Sequence, residues 1–114
     1  MTVFTDRAGR CGNAADVAIF KKTKSTMKAG IQGCLIGCVV AGDRQNCTVT
    51  CIEAKVGLSA PCGQCWYDEG VCTLGKCVGP CLLPASKACA DCSKANCFPA
   101  CVACSGIPEY FFPP

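Results

Sequence analysis

The chain has 114 residues, of which fifteen are cysteines, and a formal net charge of +3. This length allows one domain or a few very small modules, and a cysteine content above about 10% marks a disulfide scaffold. Because the sequence contains no histidine, it excludes Ser-His and Cys-His catalytic dyads. We therefore predict a non-enzymatic protein without a cofactor, located in an oxidising compartment where disulfides persist.

Residues 1–28 form the first predicted unit, a basic N-terminal arm with one short helix. They carry six basic and two acidic residues, whereas the rest of the chain carries five basic and six acidic residues. Asn13 is a typical N-cap residue, and we expect a helix from Ala14 to about Lys22. Cys11 is far from the next cysteine, so we predict that it is either the unpaired thiol or part of a bond that ties the arm to the body. These residues contain no signal-peptide pattern, so we expect either that targeting residues have been removed or that import uses a route without a cleaved presequence.

Residues 29–57 contain two Cys-x3-Cys pairs separated by eight residues, Cys34 with Cys38 and Cys47 with Cys51. Residues four apart lie one above the other on one face of a helix. Two such pairs that face each other can form two disulfide rungs between antiparallel helices. We therefore predict a helical hairpin with the disulfides Cys38–Cys47 and Cys34–Cys51.

The first helix of this hairpin is strongly apolar. Residues 29–42 contain one polar side chain, that of Gln32. A helix of this length spans about 21 Å, which is shorter than the roughly 30 Å of a bilayer's hydrocarbon core. We therefore expect a buried helix and no transmembrane span.

Residues 58–106 form a cysteine-rich helical region, for which the spacing leaves two sets of disulfides open. The first set requires chain turns at residues 68–70 and 94–96 and leaves Cys11 unpaired. It pairs Cys62 and Cys65 with Cys72 and Cys77, Cys89 and Cys92 with Cys97 and Cys101, and Cys81 with Cys104. The second set pairs Cys77 and Cys81 with Cys89 and Cys92, and its cysteines have better helical spacing.

Zinc binding is the main alternative to disulfides. The spacing Cys-x2-Cys, which is typical of zinc knuckles, begins at Cys62, Cys89 and Cys101. Most of the cysteine pairs stand in alanine-rich, helix-like sequence, which favours disulfides.

A thiol–disulfide redox site is the second alternative. Cys62-Gly-Gln-Cys65 follows Pro61 at a predicted helix start, where the pKa of a thiol is lowered. Because no βαβ pattern surrounds this motif, a structural disulfide is favoured.

Residues 107–114 form an aromatic, proline-rich tail, which is the last predicted unit. The tail and the basic arm contain residue types that contribute most to protein–protein interfaces, and such segments gain order on a partner. The predicted interface consists of Phe4, Arg7, Arg10, Lys21, Lys22, Tyr110, Phe111 and Phe112. No nucleic-acid partner is expected, because aromatic residues do not alternate with the basic ones.

Two parts of the chain resemble known families. The stretch Cys34-x3-Cys38 to Cys47-x3-Cys51 is similar to the twin Cys-x3-Cys hairpins of small import chaperones of the mitochondrial intermembrane space. The stretch from Cys89 to Cys104 and the following Ser-Gly-Ile-Pro resembles cysteine-rich, plastid-targeted proteins of algae with secondary plastids, dinoflagellates especially. Some of those proteins are lumenal accessory subunits of photosystem supercomplexes. The second resemblance implies a thylakoid lumen and a structural role beside pigment-binding subunits.

Together these features predict an all-α, small, disulfide-rich fold of consecutive cross-linked helical hairpins with extended N- and C-terminal arms. The expected function is that of a non-catalytic structural accessory subunit that binds a larger membrane protein complex through both termini. The expected compartment is the thylakoid lumen, with the mitochondrial intermembrane space or secretion as alternatives. The alternative functions are a secreted cationic defence or signalling protein, a thiol–disulfide carrier and a zinc-binding module.

Overall fold

Helices account for all the regular structure that is described. The computed structural model describes residues 9–83 and 86–113, and these ranges contain no strand. The α-helices are α1 (Ala14–Lys22), α2 (Met27–Gly37), α3 (Arg44–Lys55), α4 (Ala60–Lys76), α5 (Lys87–Asn96) and α6 (Phe98–Ser105), with short 3₁₀ segments at Pro80–Leu82 and Glu109–Phe111. The predicted all-α, disulfide-rich class is confirmed. None of the described helices is long and apolar enough to cross a bilayer.

Side-chain caps and glycines set several of the helix ends. Asn13 caps α1 by accepting a hydrogen bond from the backbone N–H of Asp16 at 2.8 Å, as its residue type predicts. Asp43 caps α3 in the same way. Gly57 and Gly106 follow the ends of α3 and α6 with positive φ angles of 96° and 73°, which other residues adopt only at a cost.

Disulfides connect α4 and its C-cap to both ends of the chain. The cross-links are Cys11–Cys62, Cys65–Cys104, Cys72–Cys97 and Cys77–Cys92. Their partners come from the segment before α1, from α5 and from the start and end of α6. This 17-residue helix is therefore the element around which the other helices are arranged.

The first hairpin has the disulfides that its spacing predicts. Cys34 bonds Cys51, and Cys38 bonds Cys47. The prediction is confirmed because α2 and α3 are antiparallel neighbours joined by a short turn. The second set of pairings for the later cysteines is also confirmed, since the structure joins Cys77 to Cys92 and Cys81 to Cys89.

The first set of pairings for residues 58–106 is wrong. It requires a turn at residues 68–70, but α4 continues through them without a break. Two cysteines ten positions apart on one helix are separated by about 15 Å, so Cys62 cannot reach Cys72. The bonds predicted between Cys89 or Cys92 and Cys97 or Cys101, and between Cys81 and Cys104, are likewise absent from the disulfides of the described chain.

The prediction that Cys11 is the unpaired thiol is also wrong. Cys11 is fully buried and bonds Cys62, which agrees with the other prediction made for it, a bond that ties the arm to the body. The unpaired cysteine of the described chain is instead Cys101, which is buried in α6.

The described parts of both termini pack on the body instead of projecting from it. Phe20 of α1 is 0% exposed, and its ring centroid lies 5.0 Å from that of Phe112. Phe112 also packs 5.4 Å from Trp66 and 5.1 Å from Phe98, which closes the core with aromatic contacts. Phe112, predicted as an interface residue, is therefore a core residue.

One hydrophobic core joins these elements, and Ile52 of α3 lies within it. Gly63 of α4 is close enough to α3 that a β-carbon there would stand 3.5 Å from Ile52, at ordinary contact distance. This close approach places the buried face of α3 directly against α4.

The disulfide connectivity predicts a specific peptide map. Reduction should raise the intact mass by two hydrogens for each of the seven disulfides. Proteolysis without reduction should release peptides that link Cys11 to Cys62 and Cys65 to Cys104, with Cys101 alkylated once the chain is unfolded. A peptide that links Cys81 to Cys104 would contradict the described arrangement.

The core predicts a large difference between two isoleucine substitutions. Ile52→Ala, at a fully buried position, should lower the free energy of unfolding by about 2–5 kcal/mol because it leaves a cavity. The matched control Ile36→Ala, at a side chain 63% exposed, should change it by less than about 0.5 kcal/mol. Guanidinium unfolding of the oxidised proteins, followed by far-UV circular dichroism, measures both. Equal losses would show that Ile52 is not a core residue.

Candidate interaction surface

Of the described interface residues predicted near the termini, Lys21 lies against Phe111, whereas Arg10 lines a separate depression beside the start of α4. Arg10, Lys21 and Lys22 are exposed, and the Nζ of Lys21 lies 5.6 Å from the centroid of the Phe111 ring. Tyr110 is 72% exposed, and its carbonyl oxygen accepts a hydrogen bond of 2.8 Å from the Lys24 ammonium. Phe4 and Arg7 lie outside the described residues. The two termini therefore contribute to one basic and aromatic surface, not to two separate arms.

A second surface, formed by aliphatic side chains, is not among the predicted interface residues. We call it the aliphatic face and define it by Ile36, Val39, Val40, Val71 and Leu74, each at least 47% exposed. Val71 and Leu74 are three residues apart on α4, a spacing typical of one face of a helix. Apolar residues at such spacing are usually buried against another element. The sequence pattern therefore does not predict that this face of the helix is exposed.

A groove of about 270 Å³ lies within the aliphatic face. Leu35, Val39, Val71 and Leu74 line it with apolar atoms, between the end of α2 and the second half of α4. The helices approach closely at Gly70, where a β-carbon would stand only 2.7 Å from the methyl groups of Leu35. Beyond that contact α2 ends at Gly37 while α4 continues, and this leaves the groove open.

Three polar side chains also line this groove: Arg44, Thr48 and Tyr67. Within the described chain, neither the Arg44 guanidinium nor the Tyr67 hydroxyl has a hydrogen bond or an ion pair. The neighbouring Asp43 carboxylate is engaged elsewhere, because it accepts a hydrogen bond from the backbone N–H of Asn46 at 3.0 Å. The groove thus combines apolar walls with solvent-accessible hydrogen-bond donors that have no acceptor among the described residues.

A second, more polar depression of about 840 Å³ lies beside the start of α4. Its side chains include Arg10, Asn13, Gln45 and Gln64. Gln45 and Gln64 hydrogen-bond each other at 2.7 Å, so part of this polar lining is already satisfied internally.

The N-terminus of α4 is occupied by a buried carboxylate from this chain. Asp16, 1% exposed, accepts hydrogen bonds from the backbone N–H of Ser59 at 2.8 Å and from its hydroxyl at 2.5 Å. Asn13 donates a third at 2.7 Å. A negative charge at this end of a helix is favourable. Asp16 therefore stabilises the fold and leaves no open anion site there.

Fourteen of the fifteen cysteines form disulfides in the described chain. Cys62 and Cys65, the predicted redox pair, do not bond each other but bond Cys11 and Cys104. Disulfides also take up Cys89 and Cys92, so these sulfurs are not available as zinc-binding thiolates. Residues 9–83 and 86–113 contain no group of three or more histidine, cysteine, aspartate or glutamate side chains suited to a metal ion.

Cys101 is held in its neutral form. Burial raises the pKa of the Cys101 thiol well above its usual value, and the carboxylates of Glu69 and Asp68 raise it further. Glu69 itself accepts a short hydrogen bond from the Ser93 hydroxyl. Because the thiolate is the reactive species, the folded chain protects this cysteine from disulfide exchange.

Comparison of the chain with protein-family models, with curated proteins and with solved structures finds no match. The resemblances drawn from the cysteine spacing therefore stay predictions.

The protonation of Cys101 predicts a dependence of stability on pH. Above about pH 9.0, the usual pKa of a cysteine, the unfolded chain loses this proton while the folded chain keeps it. The free energy of unfolding should therefore fall as pH rises, by at most about 1.4 kcal/mol per pH unit from this group. In the Cys101→Ala variant, the free energy of unfolding should fall less steeply with pH. Urea titrations at pH 8 to 10, made after short incubation, measure this slope in both proteins. The same slope in both proteins would contradict a thiol held neutral by the fold.

Proposed function

We propose that this protein is a non-catalytic accessory subunit that binds a larger, membrane-associated protein complex in an oxidising compartment. The observation that carries the proposal is the aliphatic face. Val40 is 91% exposed and Leu74 is 55% exposed, and apolar side chains that cluster at a surface mark sites of protein association.

The rigidity of the body supports a binding role. Cys38, which lines the groove, bonds Cys47, and Cys72 and Cys77 fix the second half of α4 to the C-terminal region. A surface that is held in place before binding loses little conformational entropy on association. The basic and aromatic surface of Lys21, Lys24 and Tyr110 would then provide a second contact with the complex.

The resemblance of residues 89–104 to plastid-targeted proteins supports a more specific version of this proposal. In that version the compartment is the thylakoid lumen and the partner is a photosystem–light-harvesting supercomplex. The many disulfides agree with such an oxidising compartment, as they do with the intermembrane space or the extracellular medium.

Native gel analysis of gently solubilised membranes from the source organism tests the proposal. The protein, detected with an antibody, should migrate with a large complex, and in the photosystem version that band should contain chlorophyll. A double variant, Val39→Asp with Leu74→Asp, should dissociate from the band while keeping its seven disulfides, because both changes place charge on the aliphatic face. Migration of the natural protein alone, at its own 11.8 kDa, or its recovery from the medium would refute the accessory role.

A further inference from the structure

We infer that the groove in the aliphatic face binds an apolar helix of the partner protein, and that this helix carries a carboxylate which pairs with Arg44. The inference rests on the proposed function and specifies the chemistry of the partner. Its structural basis is the combination of apolar walls and unpaired donors in one groove.

The charge of the expected ligand follows from Arg44. This residue begins α3, lines the groove and has no ion pair or hydrogen bond with any described residue. A guanidinium offers donors whose geometry matches a carboxylate, and such a charge-assisted pair is stronger than a neutral hydrogen bond. The Tyr67 hydroxyl lines the same groove and can donate to the same group or to a backbone carbonyl. The groove therefore favours an acidic group over a basic one.

The shape of the ligand follows from the two rows of side chains beside the groove. Val71 and Leu74 stand one turn apart on α4, and Ile36 and Val39 stand at the end of α2. A helix that lies between two such rows packs its own side chains into the space between them. A small ligand within 270 Å³ would leave Ile36, one turn before Val39 and 63% exposed, without cover. The extent of the apolar surface therefore favours a protein helix.

The groove is also preformed. Gly70 allows Leu35 to approach α4, and the disulfide Cys38–Cys47 holds the end of α2 to α3. These contacts hold the backbone of α2 in place beside α4 and α3. A preformed groove lowers the entropic cost of helix binding.

Two synthetic peptides test the inference with the full oxidised chain. Each is an amphipathic helix of about 15 residues with leucines at i, i+3, i+4 and i+7. One peptide carries a glutamate beside the leucine row, and the other carries a lysine at that position. Fluorescence anisotropy measures the affinity of both for the natural protein and for Arg44→Glu, Leu74→Asp and the control Lys55→Glu. Lys55 is the last residue of the same helix and does not line the groove.

We expect the glutamate peptide to bind the natural protein about tenfold more tightly than the lysine peptide. Arg44→Glu should reverse this preference, Lys55→Glu should leave it unchanged, and Leu74→Asp should abolish the binding of both peptides. A reversal of preference cannot result from misfolding, so the charge exchange separates recognition from a general loss of structure.

Several results would overturn the inference. These are no binding of either peptide, equal binding of both to every variant, and unchanged binding to Leu74→Asp. A dimer of the natural protein that Leu74→Asp dissociates in sedimentation would identify a second copy as the occupant. Binding to phosphatidylcholine vesicles that Leu74→Asp abolishes, with no peptide binding, would identify a bilayer instead.

The peptide experiment and the native gel fail independently. If the peptides do not discriminate but the protein still migrates with a membrane complex, the accessory role stands and the contact lies elsewhere. If the peptides discriminate but the protein migrates alone, the groove binds helices and the proposed membrane complex is wrong.

Discussion

The structure depends on the continuity of α4 and on the disulfides that leave it. A helix holds its residues at a fixed rise of about 1.5 Å each, so Cys72 stands roughly 15 Å from Cys62 and roughly 10 Å from Cys65 and must find its partner in another segment. Cys62 binds the segment before α1, and Cys65 and Cys72 bind the two ends of α6. Because these segments lie at opposite ends of the sequence, α4 brings the N-terminal and C-terminal regions onto one body.

Polar and aromatic contacts reinforce this arrangement where α4 begins. The buried carboxylate of Asp16 accepts hydrogen bonds from the backbone and the side chain of Ser59, 43 residues away. A buried carboxylate is costly unless such donors satisfy it, and here the helix start supplies them. The hydrogen bonds between Asp16 and Ser59 act together with the Cys11–Cys62 disulfide and the ring contact between Phe20 and Phe112. These contacts explain why the described parts of both termini pack on the body.

The same disulfides explain why aliphatic side chains remain at the surface. A small chain buries a limited core, and cross-links supply stability that a larger core would otherwise provide. Residues such as Val40 and Leu74 are thus not required to close the fold, and they stay exposed on a rigid support. This division of roles makes the aliphatic face available for the binding function that we propose, with Arg44 beside it as a source of specificity.

The sequence alone determined the helical class, the cap at Asn13, the first hairpin and its two disulfides, because each depends on residues close in the chain. It predicted the Cys77–Cys92 and Cys81–Cys89 bonds as one of two sets, since helical spacing alone cannot select a partner. Only the tertiary structure decided Cys11–Cys62 and Cys65–Cys104, which span 51 and 39 residues and depend on which helices pack together. It also decided which apolar faces are buried: Phe112 entered the core, whereas Val71 and Leu74 stayed exposed. Local spacing reports that a helix has an apolar face, but whether that face is covered depends on the positions of all the other helices.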